Sequence, residues 1–81
     1  MEALSLRELG VIIVRNWEKI NYAAKPYLSA MLQLDEITDF FGADSGREVV
    51  LYFLANATTW RGPVAKEVKA ELKRRLAVMH H

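Results

Sequence analysis

The apolar positions of this chain fall into four stretches, each with helical spacing. Leu6, Leu9, Ile13, Trp17 and Ile20 follow one another at steps of three and four, so they line one face of a helix. Ser5 and Glu8 stand three apart just before that stripe, as a capping box requires, and Leu4 and Leu9 suit a hydrophobic staple. Four consecutive β-branched residues, Val11 to Val14, argue for a strand. The cap and the longer period outweigh them. Val11 and Val14 fall off the main stripe, so they meet either a second covering element or another subunit.

Pro26 breaks the pattern and restarts it, because proline fits a first helical turn and excludes helical geometry from the residue before it. Tyr27, Met31, Leu34, Ile37 (or Thr38) and Phe41 predict a second helix, widened by Leu28 and Leu32 and bent at Asp35. Gly42 is its natural terminator. Asp44 or Ser45 then caps a third helix, with Ser45 and Glu48 as a second candidate capping box. Val49 to Ala55 form an unbroken apolar run. A helix apolar on all sides must be covered on all sides, which makes this one the expected hub. Asn56 is the polar residue of its inner length. Residues 58–62 turn a corner, and Pro63 opens a fourth helix with Ala65, Val68, Leu72, Leu76 and Met79 on its core stripe. Glu71 and Arg75 form an i,i+4 pair on that helix. The resulting expectation is all-α: one domain over residues 1–81, a compact bundle of four helices at about 5–20, 26–41, 45–59 and 63–78, packed around the third.

Composition adds a thin core to this picture. A chain of 81 residues buries roughly 60% of the surface its unfolded form exposes. There is no cysteine to reinforce it. An apolar fraction of 52% is slightly high for so small a core, which suggests that part of it lies between subunits. The longest apolar runs fall far short of the roughly 20 residues of a membrane span, and no secretory signal is evident. A cytoplasmic protein is the default expectation. His80 and His81 are either a native end or a purification-tag remnant.

Charge changes the picture more. Residues 1–45 hold four basic and seven acidic side chains, and residues 46–81 hold seven and three. The halves therefore carry −3 and +4 within a net charge of +1. Lys66, Lys69 and Lys73 share one face of the fourth helix, bordered by Arg74 and preceded by Trp60 and Arg61. A basic helix next to an exposed tryptophan suits phosphate contact and base stacking. The competing reading is a solvated outer face with Trp60 in the core. Glu67, Glu71 and a pI of 8.1 dilute the basic character. The turn between the last two helices has helix-turn-helix length, but the third helix is too apolar for an ordinary first member of that motif. Asp35, Glu36, Asp39 and Asp44 form an acidic cluster, in which Asp35 and Asp39 stand one helical turn apart and suit a shared cation. The competing readings there are a solvated face and an acidic docking surface.

Catalysis has little to stand on. Both histidines are terminal, so Ser5, Ser29 and Ser45 lack a histidine base. Neither GxxxxGK[ST] nor GxGxxG occurs, nor do an Asp-x-Asp-x-Asp loop and Glu-x-x-His. A non-enzymatic protein with no metal or cofactor is expected. Eight aromatic residues are many for this core. They either fill it or mark interfaces, with Tyr22 and Tyr27 as first candidates for partner contact and Trp60 and Arg61 as second.

The stretches YFLANATTWRGPVAKEVKAEL and YAAKPYLSAM resemble those of small uncharacterised proteins of bacterial prophages and mobile elements, over roughly residues 22–76. The resemblance implies a bacterial setting and an accessory or host-modulating role, and it brings no site residues. The leading expectation is a non-enzymatic, homo-oligomeric protein-interaction module with an unidentified protein partner, in which Val11 and Val14 are candidates for the subunit interface. The alternative is a nucleic-acid-binding accessory protein using Arg61, Lys66, Lys69, Lys73 and Arg74.

Overall fold

A computed structural model describes residues 3–78. The chain order is α1 (Leu6–Asn16), a 3-10 turn (Tyr22–Ala24), α2 (Lys25–Met31), β1 (Phe40–Phe41), β2 (Asp44–Ser45), α3 (Gly46–Ala55) and α4 (Pro63–Val78). The fold is mostly helical, and the described residues also include a small hairpin. The expected purely all-α bundle is corrected to that extent. The fourth helix has the expected bounds. The other three are shorter than their hydrophobic periods suggested. Met79, His80 and His81 lie outside the described residues.

The largest correction concerns the second helix, which ends at Met31 instead of continuing to about residue 41. The cause is a long-range hydrogen-bond exchange. The first free N–H groups of α1, those of Leu6 and Arg7, donate to the carbonyls of Asp35 (2.8 Å) and Leu34 (2.9 Å). Ser5 Oγ accepts from the Glu8 N–H, while the Ser5 N–H donates to the Glu8 carboxylate, completing the capping box. The start of α1, which would otherwise leave four N–H groups unpaired, is thereby satisfied. Asp39 caps the same segment from the other side, its Oδ2 accepting from the N–H groups of Asp35 and Glu36. Side-chain acceptors of this kind compete with helical bonding. Leu34 and Ile37 still reach the core from the irregular segment.

Gly42 is left-handed (φ +61°) as expected, but in another role. It is the first residue of the two-residue loop of a hairpin that pairs Phe40 with Ser45 and Phe41 with Asp44. Glycine with positive φ at that position followed by a residue with negative φ is the pattern of a type II′ turn. Phe41, expected on the core face of a helix, is exposed instead. The chain then enters α3 through Gly46. A Cβ there would lie 2.7 Å from the Ile37 carbonyl oxygen, so the close approach of the two backbones admits glycine alone without a shift. Ser45 caps α3 by accepting from the Glu48 N–H.

α2 and α4 each pack against both α1 and α3. One apolar cluster joins all four helices, and Phe53 is its largest fully buried side chain. Trp17 meets Phe53 edge-on at 6.2 Å and stacks on Trp60 at 5.7 Å. This aromatic column closes the end of the bundle where α1 and α3 finish. Asn56 ends α3, its side-chain amide donating to the Tyr52 carbonyl, and its own carbonyl accepts from Asn21.

Candidate functional site

Two surfaces bring together most of the residues singled out in the sequence. The first is the outer side of α3. The hub helix is not covered on all sides: its Val49, Val50 and Phe53 face is buried, while Leu51 and Tyr52 are 43% and 49% exposed. Glu48, Leu51, Tyr52 and Ala55 follow at helical spacing and are all exposed, which makes a continuous outer stripe. Tyr27 of α2 packs its half-buried ring on Tyr52 with 5.3 Å between ring centres. Asn21 ties the neighbouring turn to the end of α3. That turn carries Tyr22, the most exposed of the large apolar side chains at 86%. Leu51 and Tyr52 were not among the sequence candidates. The available signal was the 48/51/52/55 spacing, in which Glu48 and the small Ala55 mark an outward face inside an apolar run. Val11 and Val14 are exposed on α1, and Phe40 and Phe41 on the hairpin.

The second surface is the corner between α3 and α4. Trp60 is buried there, 3% exposed, and its indole N–H donates to the Asn16 carbonyl at 3.4 Å. The expectation that Trp60 offers a partner-binding or stacking surface is therefore corrected. Its ring instead extends the aromatic column, because stacking on Trp17 buries both ring faces more fully than a solvent-facing position would. Arg61 beside it is exposed. Lys69 Nζ donates to the Trp60 carbonyl at 2.6 Å. The half-buried position of Lys69 disfavours its charged form and lowers its pKa, and the nearby charges of Lys73 and Arg61 act in the same direction.

Arg74 does not belong with these lysines. It turns to the other flank of α4, where it and Arg75 converge on the buried Glu71, with N–O distances of 2.7 and 2.6 Å. The hydrogen bond from Arg74 is the main reason that the Glu71 pKa falls to about 2, with Arg75 adding to it against the opposing effect of burial. The pair Glu71–Arg75 read from the sequence is thus one half of a three-residue cluster.

The acidic stretch does not build a cation site. Asp35 and Asp39 are not on one helix. Asp39 caps backbone N–H groups, and Asp35 pairs with Arg7 at 3.1 Å. Among the described residues no three His, Cys, Asp or Glu side chains come close enough to hold a metal ion. A cleft of about 480 Å³ lies between the start of α1 and residues 35–38. Its charged groups are largely engaged: Glu8 in the capping box, Asp35 with Arg7, and Arg75 with Glu71. Glu8 has its pKa lowered chiefly by the Ser5 N–H that it accepts, so it is poorly suited to carry a proton. No described helix is long and apolar enough to cross a membrane. No family model matches this sequence, and no curated protein or solved structure is detectably similar to it.

Proposed function

We propose that the chain is a non-enzymatic protein-interaction module, that its working surface is the outer stripe of α3 with Tyr27 and Tyr22 beside it, and that this stripe pairs with a second copy of itself. The observation that supports the reading most is the one-sided burial of α3. Leu51 and Tyr52 occupy solvent-facing positions of the most apolar helix in a core that is already complete without them. Aromatic residues are enriched at protein interfaces because they bury much area at little entropic cost. A two-fold axis, the commonest symmetry of soluble oligomers, would set the stripe against the same stripe of a second copy. Val11 and Val14 on α1 offer a further apolar strip for an unidentified partner. Sedimentation velocity over a micromolar concentration series tests the reading. A dimer that dissociates on dilution is the expected result, and a monomer at every concentration contradicts it.

A further inference from the structure

The cations of this protein sort by their partners. Arg7 is held by Asp35, and Arg74 and Arg75 by Glu71. Arg15, Lys19, Lys25, Arg61, Lys66, Lys69 and Lys73 reach no carboxylate within ion-pair distance among the described residues. Four of these seven, Arg15, Lys19, Arg61 and Lys69, meet at one end of the molecule. Arg15, Lys19 and Arg61 line a single open cleft of about 710 Å³, with Glu18 as its one carboxylate and the Thr59 hydroxyl as a neutral donor. Lys69 bridges the cleft to α4 through its bond to the Trp60 carbonyl, and Lys73 lies next along the same flank.

The C-terminal end of α1 favours Arg15 and Lys19 locally, since cations offset the partial negative charge of a helix C-terminus. That effect does not account for Arg61, Lys69 and Lys73, which arrive from the corner and from α4. The acidic stretch of residues 35–39 lies at the other end. The carbonyls of Leu34 and Asp35 bind the N-terminus of α1, so the acidic stretch and the cleft of Arg15, Lys19 and Arg61 are separated by roughly the 16 Å length of that helix. A molecule with poles of this kind orients itself in the field of a polyanion before contact.

We infer that the row formed by Arg15, Lys19, Arg61, Lys69 and Lys73 is a docking surface for the phosphate backbone of double-stranded nucleic acid. Unpaired cations from three elements, a hydroxyl donor and no exposed large apolar side chain in the cleft suit phosphate contacts, which are polar and independent of base identity. A protein partner would call for an apolar centre. A single strand would call for an exposed aromatic platform, and both tryptophans of the cleft are buried. This surface is distinct from the α3 stripe, so either can fail without the other.

Fluorescence anisotropy with a labelled duplex of about 20 base pairs tests the inference. Five phosphate contacts predict a loss of affinity of about several hundredfold between about 50 and 200 mM salt. Arg15→Ala, Lys19→Ala and Arg61→Ala are each expected to lower the slope of log affinity against log salt by about one, and Lys25→Ala to leave it unchanged. These side chains are exposed and have no ion-pair partner among the described residues, and circular dichroism checks that each variant remains folded. Amide shift mapping on the unaltered protein supplies a second reading, with changes expected at Arg15, Lys19, Arg61 and Lys69. Four results overturn the inference: no duplex binding at the lower salt, binding unaffected by the three substitutions, tighter binding to a single strand of the same length, or binding only to anionic phospholipid vesicles. Self-association that grows at low salt without duplex binding also overturns it, by assigning the row to the acidic end of another copy.

Discussion

Phe53 and Arg61 lie eight residues apart and carry opposite roles. Phe53 is fully buried at the meeting of the helices and touches the Trp17 ring. Its replacement by alanine is expected to cost about 3–5 kcal/mol, a large part of the stability of a domain this small. Arg61→Ala is expected to change stability by less than about 0.5 kcal/mol. Chemical denaturation of both variants checks the ordering, and equal losses would refute it. Two glycines make a similar contrast. A methyl group at Gly46 meets the Ile37 backbone at 2.7 Å, whereas one at Gly10 meets the end of the flexible Leu32 side chain at 2.9 Å. Gly46→Ala should therefore cost about 1–3 kcal/mol, and Gly10→Ala clearly less, as thermal melts of the pair would show. None of this contact information resides in the local sequence. Glycine at position 46 reads as an ordinary turn residue until the segment containing Ile37 is folded against it.

At the scale of elements, the sequence is legible where a helix is bounded by local chemistry. The Ser5–Glu8 cap, the Ser45 cap and Pro63 each fix a start correctly. Ends are read less well, because they depend on partners far along the chain. Leu34 and Ile37 keep helical spacing and reach the core, yet they do so from an irregular segment whose carbonyls serve α1. Periodicity cannot separate these cases. The charged flank of α4 is half legible: its spacing yields the lysine face, but nothing local marks Glu71 as the buried acceptor that draws Arg74 away from it. A pH dependence follows from that cluster. The folded Glu71 has a pKa near 2 against an ordinary value of 4.5. A depressed carboxylate pKa contributes stability that is fully present above the unfolded value and is lost as pH falls through the folded one. Glu71→Gln should be less stable than the unaltered protein at pH 7 by about 1–3 kcal/mol, the cost of a charged hydrogen bond. The difference should shrink between pH 4.5 and pH 2. Denaturation midpoints at the three pH values test this, and a difference independent of pH would exclude Glu71 as the source.

For the whole molecule, the apolar run of α3 reads first as a helix to be enclosed and is found enclosed on one side only. Its inner face, with the Trp17–Trp60 stack, organises the core. Its outer face, Leu51 and Tyr52, remains in solvent. The sequence could place these residues on a helix but could not count its neighbours, since three helices shorter than expected leave one side open. The basic row at the α3–α4 corner was legible only in its α4 and Arg61 members, because Arg15 and Lys19 join it through the tertiary approach of α1. Sedimentation equilibrium of the Leu51→Glu, Tyr52→Ser double variant, run beside the unaltered protein, shows whether the outer stripe of α3 joins two copies. The expected variant keeps its helical circular dichroism and is monomeric at concentrations where the unaltered protein is a dimer. A variant that is folded and dimerises with unchanged affinity would contradict it.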